Sequence, residues 1–402
     1  MYKLKKLVLT ALVCLNFITL FSQLTSVNQI LGSGNKITLV VPFLTISPDA
    51  RGSGLGDCGV ATSADISSIF YNPAKITFSE KSTATGLTFT PWLRALVPDL
   101  SLTHFSIYSQ LNKKSAIAMS MRYFALGNSE FNEDFGASLG EQKPYQFTLD
   151  GAYSRKLSEN FSMGISLRFI HSNLVPNLPS VGTVTVKPGV SGSGDLSAYY
   201  LNNTRLAGNK TTYAFGINLQ NIGSKISYTN ALQKALLPAT LRLGASTEMF
   251  FNKDHSIMLT VEMTRLLVPV ILASQVQVNN WCGVRDSIPE PDQLVIDDDA
   301  GVFEGMLLSF HDSPDGFKGE IKEFNWSLGA EYSFKKQLMI RSGYFHECPA
   351  IGNRSYFTFG AGLRYKHAGI DISYLLPQNM QSPLKNTFRF GLSFEFDGLK
   401  NK

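Results

Sequence analysis

The chain has 402 residues, with 36 Lys and Arg against 31 Asp and Glu and a formal net charge of +5. Lys3, Lys5 and Lys6 sit in an expected leader, so the rest stands near +2, too weak a balance to point to nucleic acid. Aromatics make up 11% of the chain and charged residues only 17%, and no later segment offers the roughly 18 uninterrupted apolar residues of a helical span.

Residues 1–22 read as a signal peptide. Three lysines precede an apolar run from Leu7 to Phe21, and Leu20 and Ser22 suit a cut before Gln23. Cys14 is not a lipidation site, because Ala11-Leu12-Val13 lacks the small residues that precede such a cysteine.

Residues 23–80 are expected to form an N-terminal periplasmic segment and a luminal hatch. Arg51-Gly52-Ser53-Gly54-Leu55-Gly56 supplies tight bends. Ser63 is placed to cap a short helix over Ala64 to Tyr71, which Asn72-Pro73 would stop. The candidate hatch residues are Arg51, Gly54, Gly56, Asp57, Asp65, Asn72 and Pro73.

From residue 81 to 402 the pattern has period two. In NFSMGISLRFI, Phe161, Met163, Ile165, Leu167 and Phe169 alternate with Ser162, Gly164, Ser166 and Arg168. About fourteen such strands are expected, near 82–92, 101–111, 115–126, 143–154, 161–171, 193–202, 211–220, 239–250, 255–265, 322–334, 337–347, 355–366, 369–376 and 386–396. The polar face holds Gly, Ser, Ala and Thr with few charges, unlike the wetted face of a soluble sandwich. The apolar face has aromatics near strand ends, as at membrane interfaces. The fold class is therefore all-β, a transmembrane outer-membrane barrel of about 14 strands. Arg122, Arg168, Arg341, Arg364 and Arg389 would be costly toward lipid and are expected to face the lumen. Fourteen strands enclose more lumen than wall side chains fill, so the hatch is read as a plug.

The connections after even-numbered strands are short, as at Lys335-Lys336, and those after odd-numbered strands are longer, the largest running from about 266 to 321. Short turns, and with them both termini, are expected in the periplasm and long loops outside. Asn203 to Lys210 is the exception, a longish turn on the short side. Between Trp281 and Glu323 eleven acids face three bases, about −8, which reads either as a docking surface or as a solvated loop. Asp286, Asp292, Asp297, Asp298 and Asp299 are its candidate partner-binding residues. Three adjacent acids lack the spacing of a calcium loop, and no metal or other cofactor is expected. Cys282 and Cys348 fall in external loops and are candidates for a disulfide, with two thiols as the alternative. Trp92 reads as a girdle residue or as a contact to a neighbouring barrel, and so does the stretch from Leu266 to Leu272. None of the six His residues has metal-ligand spacing, and no nucleophile motif is found, so no enzyme is expected.

The Gly-rich turns, short helix and Asn72-Pro73-Ala74 resemble the hatch of the FadL-like barrels, which import hydrophobic compounds. RGSGLGDCGVATSADISSIFYNPAKI (51–76), YAFGINLQNIGSKISYTN (213–230) and LLPATLRLGAS (236–246) together resemble the PorV family of the type IX secretion system. The family has a small residue where Cys58 stands. The resemblance implies a shuttle in the outer membrane of a Gram-negative bacterium. Such a protein docks on a large translocon barrel and binds the C-terminal domains of secreted cargo. It delivers them to a surface sortase-like protein that attaches the cargo to lipopolysaccharide. The alternatives are a FadL-type transporter, which would need an apolar lumen pocket and a kinked wall, and a lipid-modifying enzyme, which would need a catalytic constellation.

Overall fold

A computed structural model describes residues 41–397, apart from 95, 96, 98, 133–137, 175, 177–179, 182–183, 230–233, 269–300, 312–316, 349–351 and 380–381. The expected leader, Cys282 and the acids Asp286, Asp292, Asp297, Asp298 and Asp299 lie outside the described residues.

Fourteen antiparallel strands close into one barrel. They are β1 Thr83–Pro91, β2 Leu100–Gln110, β3 Ser115–Leu126, β4 Tyr145–Lys156, β5 Phe161–Asn173, β6 Gly189–Leu206 and β7 Asn209–Gly223. Then follow β8 Thr240–Phe250, β9 His255–Leu266, β10 Asn325–Phe334, β11 Leu338–His346, β12 Ser355–Tyr365, β13 Ala368–Pro377 and β14 Thr387–Phe396. Each strand pairs with its chain neighbours. The seam joins β1 to β14 from Thr83↔Phe396 to Phe89↔Phe390, so no edge is left unpaired in the bilayer.

Alternation decides which side faces out. On β3, Ile117, Met119, Met121 and Tyr123 are exposed, while Ala116, Ala118, Ser120, Arg122 and Phe124 are buried. Paired residues share a face, so the inward row continues around the wall through Thr88↔His104, His104↔Arg122 and Arg122↔Thr148. Outward aromatics stack near both rims. Tyr145 lies 5.8 Å from His171 at the long-loop end, and His367 lies 5.7 Å from Phe396 at the short-turn end.

Three details correct the sequence reading. The turn expected over Asn203 to Lys210 is two residues long, because β6 and β7 continue to Ala207 and Gly208, whose φ angles of 50° and 83° match a tight primed turn. The short-turn rule then has no exception there. The helix expected from Ala64 starts at Ser68 and ends at Tyr71. Asp65 accepts hydrogen bonds from Ser67 N and the Ser68 hydroxyl (3.0 and 3.2 Å), which turns the chain ahead of it. Finally, β10 starts at Asn325, because a helix occupies Phe317–Lys322.

Candidate functional site: the filled lumen

The segment from Val41 to Ser79 lies inside the barrel and crosses it from end to end. It comprises a 3-10 turn at Pro42–Thr45, α1 at Ala50–Ser53, α2 at Ser68–Tyr71 and a second 3-10 helix at Pro73–Phe78. Its start lies at the long-loop end, where Val41, Phe43 and Leu44 pack against Leu100, Leu102, Phe124, Ile170, Ile226 and Leu237. The Phe43 and Phe124 rings stack at 5.7 Å. Its end lies among the short turns, where Ser79 and Tyr108 share a 2.6 Å hydrogen bond and the Ser162 hydroxyl donates to Ala74 O at 2.7 Å. The first described residues therefore lie at the end of the lumen opposite the short-turn side on which β1 begins.

The inward glycines of the wall are landing sites for this segment. A Cβ on Gly343 would lie 2.1 Å from Gly56 N, one on Gly216 2.1 Å from Val60 O, and one on Gly164 2.8 Å from Ala74 N. On the hatch side Gly56 has a φ of +71°, and a Cβ there would lie 2.7 Å from Tyr344 O. Gly54 approaches Gly360 in the same way, with 3.2 Å between a built Cβ and the Gly360 Cα. Backbone meets backbone at each place, which leaves no room for a Cβ at Gly343, Gly216, Gly164 or Gly56 and little at Gly54.

Polar bonds fix the segment once it is in contact. Arg51 spans hatch and wall: Nη1 donates to Asp65 Oδ2 at 2.9 Å, and Nη2 donates to Glu331 Oε1 at 3.0 Å. Glu262 of β9 accepts from Gly59 N and Val60 N at 2.7 and 2.9 Å, while Arg242 of β8 donates to its other oxygen at 2.7 Å. Asn72 Nδ2 donates to Val60 O (3.0 Å) and Ala198 O (2.9 Å), and its Oδ1 accepts from Ala74 N. Pro73 starts the second 3-10 helix and is buried. Asp57 accepts from the Tyr356 hydroxyl, and Arg389 donates to the Ser53 hydroxyl. Lys75, fully buried, donates to Gly59 O at 2.7 Å and Thr62 Oγ1 at 3.0 Å. Cys58 is buried against Leu55 and Met258.

Arg122, Arg168, Arg364 and Arg389 lie on the inward rows, and Arg341 with them. Each ion pair here uses an acid that sequence reasoning did not single out. Asp150 lies between Arg122 (3.8 Å) and Arg168, which also pairs with Asp195 at 3.0 Å. Glu331 holds both Arg51 and Arg341, while Asp371 holds Arg341 and Arg364, each at 2.7 Å. Strand register carried the signal, because Asp150↔Arg168 and Glu331↔Arg341 are direct neighbours. Buried charges of this kind persist only when matched and hydrogen-bonded.

At the long-loop rim, Trp92 leaves the lipid girdle expected for it. It follows Thr88 and Thr90 on the inward row and packs against the Phe43 cluster, with Arg389 5.5 Å from its ring. Cys348 is buried beside Glu347, whose carboxylate takes two 2.7 Å bonds from Arg354 and raises the pKa of that guanidinium. The Cys282–Cys348 pairing falls outside the described residues. Among the described residues no cluster of His, Cys, Asp and Glu could hold a metal ion.

A family model described as "Type IX secretion system protein PorV" matches residues 31–273. A Pseudomonas aeruginosa FadL homologue is 13% identical with a TM-score of 0.42, covering 91% of this chain and 100% of that one. The Pseudomonas putida toluene transporter TodX is 13% identical with a TM-score of 0.47, covering 86% and 96%. The Ralstonia pickettii toluene transporter TbuX is 12% identical with a TM-score of 0.45, covering 89% and 100%. None of these likenesses bears on what this chain binds or moves. No curated protein matches it.

Proposed function

Since the chain belongs to the PorV family and is an outer-membrane protein of the type IX secretion system, we propose that it is a shuttle subunit working from its outer surface. In this reading it docks against the large translocon barrel and receives cargo by the cargo's C-terminal domain. It then delivers the cargo to a surface sortase-like protein. The leader is removed on export from a Gram-negative cell, and residues 23–80 supply an N-terminal periplasmic segment and the hatch of the barrel that follows. The acidic stretch between Trp281 and Glu323, including Asp286, Asp292 and Asp297 to Asp299, is the proposed contact for a basic partner surface. No bond-making step is assigned to the chain.

The observation that carries the reading is the filled lumen. The hatch touches wall glycines at backbone distance and is bonded to strands around the barrel. A barrel closed in this way has its outside left for work. The test is a pull-down with a tag after Lys402, extraction in mild detergent and mass spectrometry. Recovery of a very large barrel with secreted proteins that retain their C-terminal domains supports the shuttle. Recovery of the chain with only a bound amphiphile overturns it.

One observation favours the alternative, a FadL-type transporter of hydrophobic compounds. The long-loop half of the lumen is apolar, around Leu100, Leu102, Phe124, Ile170, Ile226 and Leu237. Phe43 and Leu44 already occupy that space, however, so a passing ligand would have to displace them.

A further inference from the structure

Arg265 stands on the wrong face of its strand. On β9 the inward row is Ser256, Met258, Thr260 and Glu262, and the outward row is Ile257, Leu259, Val261, Met263 and Arg265. Its partner across the register is Leu241, which pairs in turn with Leu219, and both belong to outward rows. An arginine toward lipid is costly, yet Arg265 is among the most buried side chains. The burial comes from the described parts of the connection between β9 and β10, residues 301–311 and 317–324, which lie over the outside of the wall here. Arg265 Nη2 donates to Glu323 at 2.6 Å, to Glu320 and to Ser309 O, and the guanidinium lies 4.6 Å from the Phe310 ring and 5.4 Å from that of Phe324.

The loop's helix α3 (Val302–Leu308) continues this cover. Met306 and Val302 pack on Ala239, Leu267 and the outward-facing Leu219, Ile222 and Leu241. Among the described residues nothing covers its other face: Phe303 and Leu307, one turn apart, are each 71% exposed. Beside it, Gly192 and Gly194 turn outward on β6. An open groove of ≈ 530 Å³ runs from Gly192 along Leu149, Leu167, Phe169 and Ile222. Ile222 belongs to groove and helix bed alike.

We propose that α3 is an interfacial membrane helix, seated by Arg265 against the outer wall so that Phe303 and Leu307 enter the acyl-chain layer of the outer leaflet. Continuity argues for lipid as the occupant. The bed under the helix is the top of the lipid-facing band, whose Leu196, Phe215 and Ile217 are exposed below it. A helix on that bed presents its free apolar face to the same medium as the wall, at the depth where amphipathic helices partition. The inference stands apart from cargo carriage and survives if that reading fails.

The test places one environment-sensitive label at Phe303→Cys in the full chain. Cys14→Ser and Cys282→Ser remove the two cysteines outside the described residues, and Cys58 and Cys348 are buried. The protein is reconstituted into phosphatidylcholine vesicles. Labels at Leu259, on the outward face, and at Lys113, in a short turn, are the references. Brominated acyl chains should quench position 303 to within about twofold of Leu259, and aqueous iodide should quench it about tenfold less than Lys113. Iodide quenching equal to Lys113 would place the helix in water and overturn the proposal. Protection from both quenchers would mean that protein covers the face, and would overturn it too. Arg265→Leu, with barrel closure checked by migration of unheated samples in SDS, should raise iodide quenching at 303 several-fold. An unchanged value would remove the tether from the argument.

Discussion

Two segments fold against this wall, one inside and one outside, and each is held by an arginine between two carboxylates. Inside, Arg51 belongs to the hatch and bonds Asp65 and the wall's Glu331. Outside, Arg265 belongs to the wall and bonds Glu320 and Glu323 of the loop. The surroundings differ. The inner clamp sits within backbone-to-backbone contacts at glycines and shares Glu331 with Arg341. The outer clamp has a partly exposed partner in Glu323 (30%) and a bed of apolar side chains. The same local chemistry therefore fixes one segment inside the barrel and the other on the outside of its wall.

The sharpest way to break this contrast is Gly56→Val. The φ of +71° and the overlap with Tyr344 and Leu328 backbone leave a side chain no room, with about 1–3 kcal/mol from backbone strain alone and the collision in addition. The hatch should lose its seat, and vesicles carrying the variant should swell with small sugars where the parent does not. Next comes Arg51→Ala. Leaving Glu331 buried with one partner fewer should cost about 3–5 kcal/mol, read as a lower temperature for the heat-modifiable shift in SDS. Arg265→Leu should cost less, about 1.5–3 kcal/mol for bonds to charged groups. It should make residues 301–311 and 317–324 more accessible to protease without raising swelling. Swelling in that variant would erase the distinction between the two clamps. The smallest effect is expected for Cys58→Ala, about 1 kcal/mol, with function in the pull-down unchanged.

Much of the wall was legible because two-residue alternation is a strict geometric code. Barrel strand positions read from Phe161 to Phe169, or from Phe388 to Phe396, match the structure. The hatch was legible from its small residues and from Asn72-Pro73. What escaped had nonlocal causes. The counter-charges Asp150, Glu262, Glu331 and Asp371 declare themselves only when strands are set in register. The glycines on the inward rows look like weak strand formers until the hatch backbone is seen against them. Trp92 was misplaced because its aromatic character, rather than its parity with Thr88 and Thr90, was read. Arg265 was missed for the converse reason. Its parity with Ile257 and Leu259 was plain, but a charge there has meaning only once the loop returns across it.

The hatch touches the wall at nearly every compass point: Ser106 on β2, Arg122 on β3, Ser162 on β5, Ser197 on β6, Asn218 on β7, Glu262 on β9, Glu331 on β10, Thr358 on β12, Ser373 on β13 and Arg389 on β14. In mechanical terms these are spokes on a hub. A hollow cylinder of fourteen strands can flatten under lateral load, but one tied to its axis around the circumference keeps its cross-section. The lipid-facing band outside then inherits a roundness set from within.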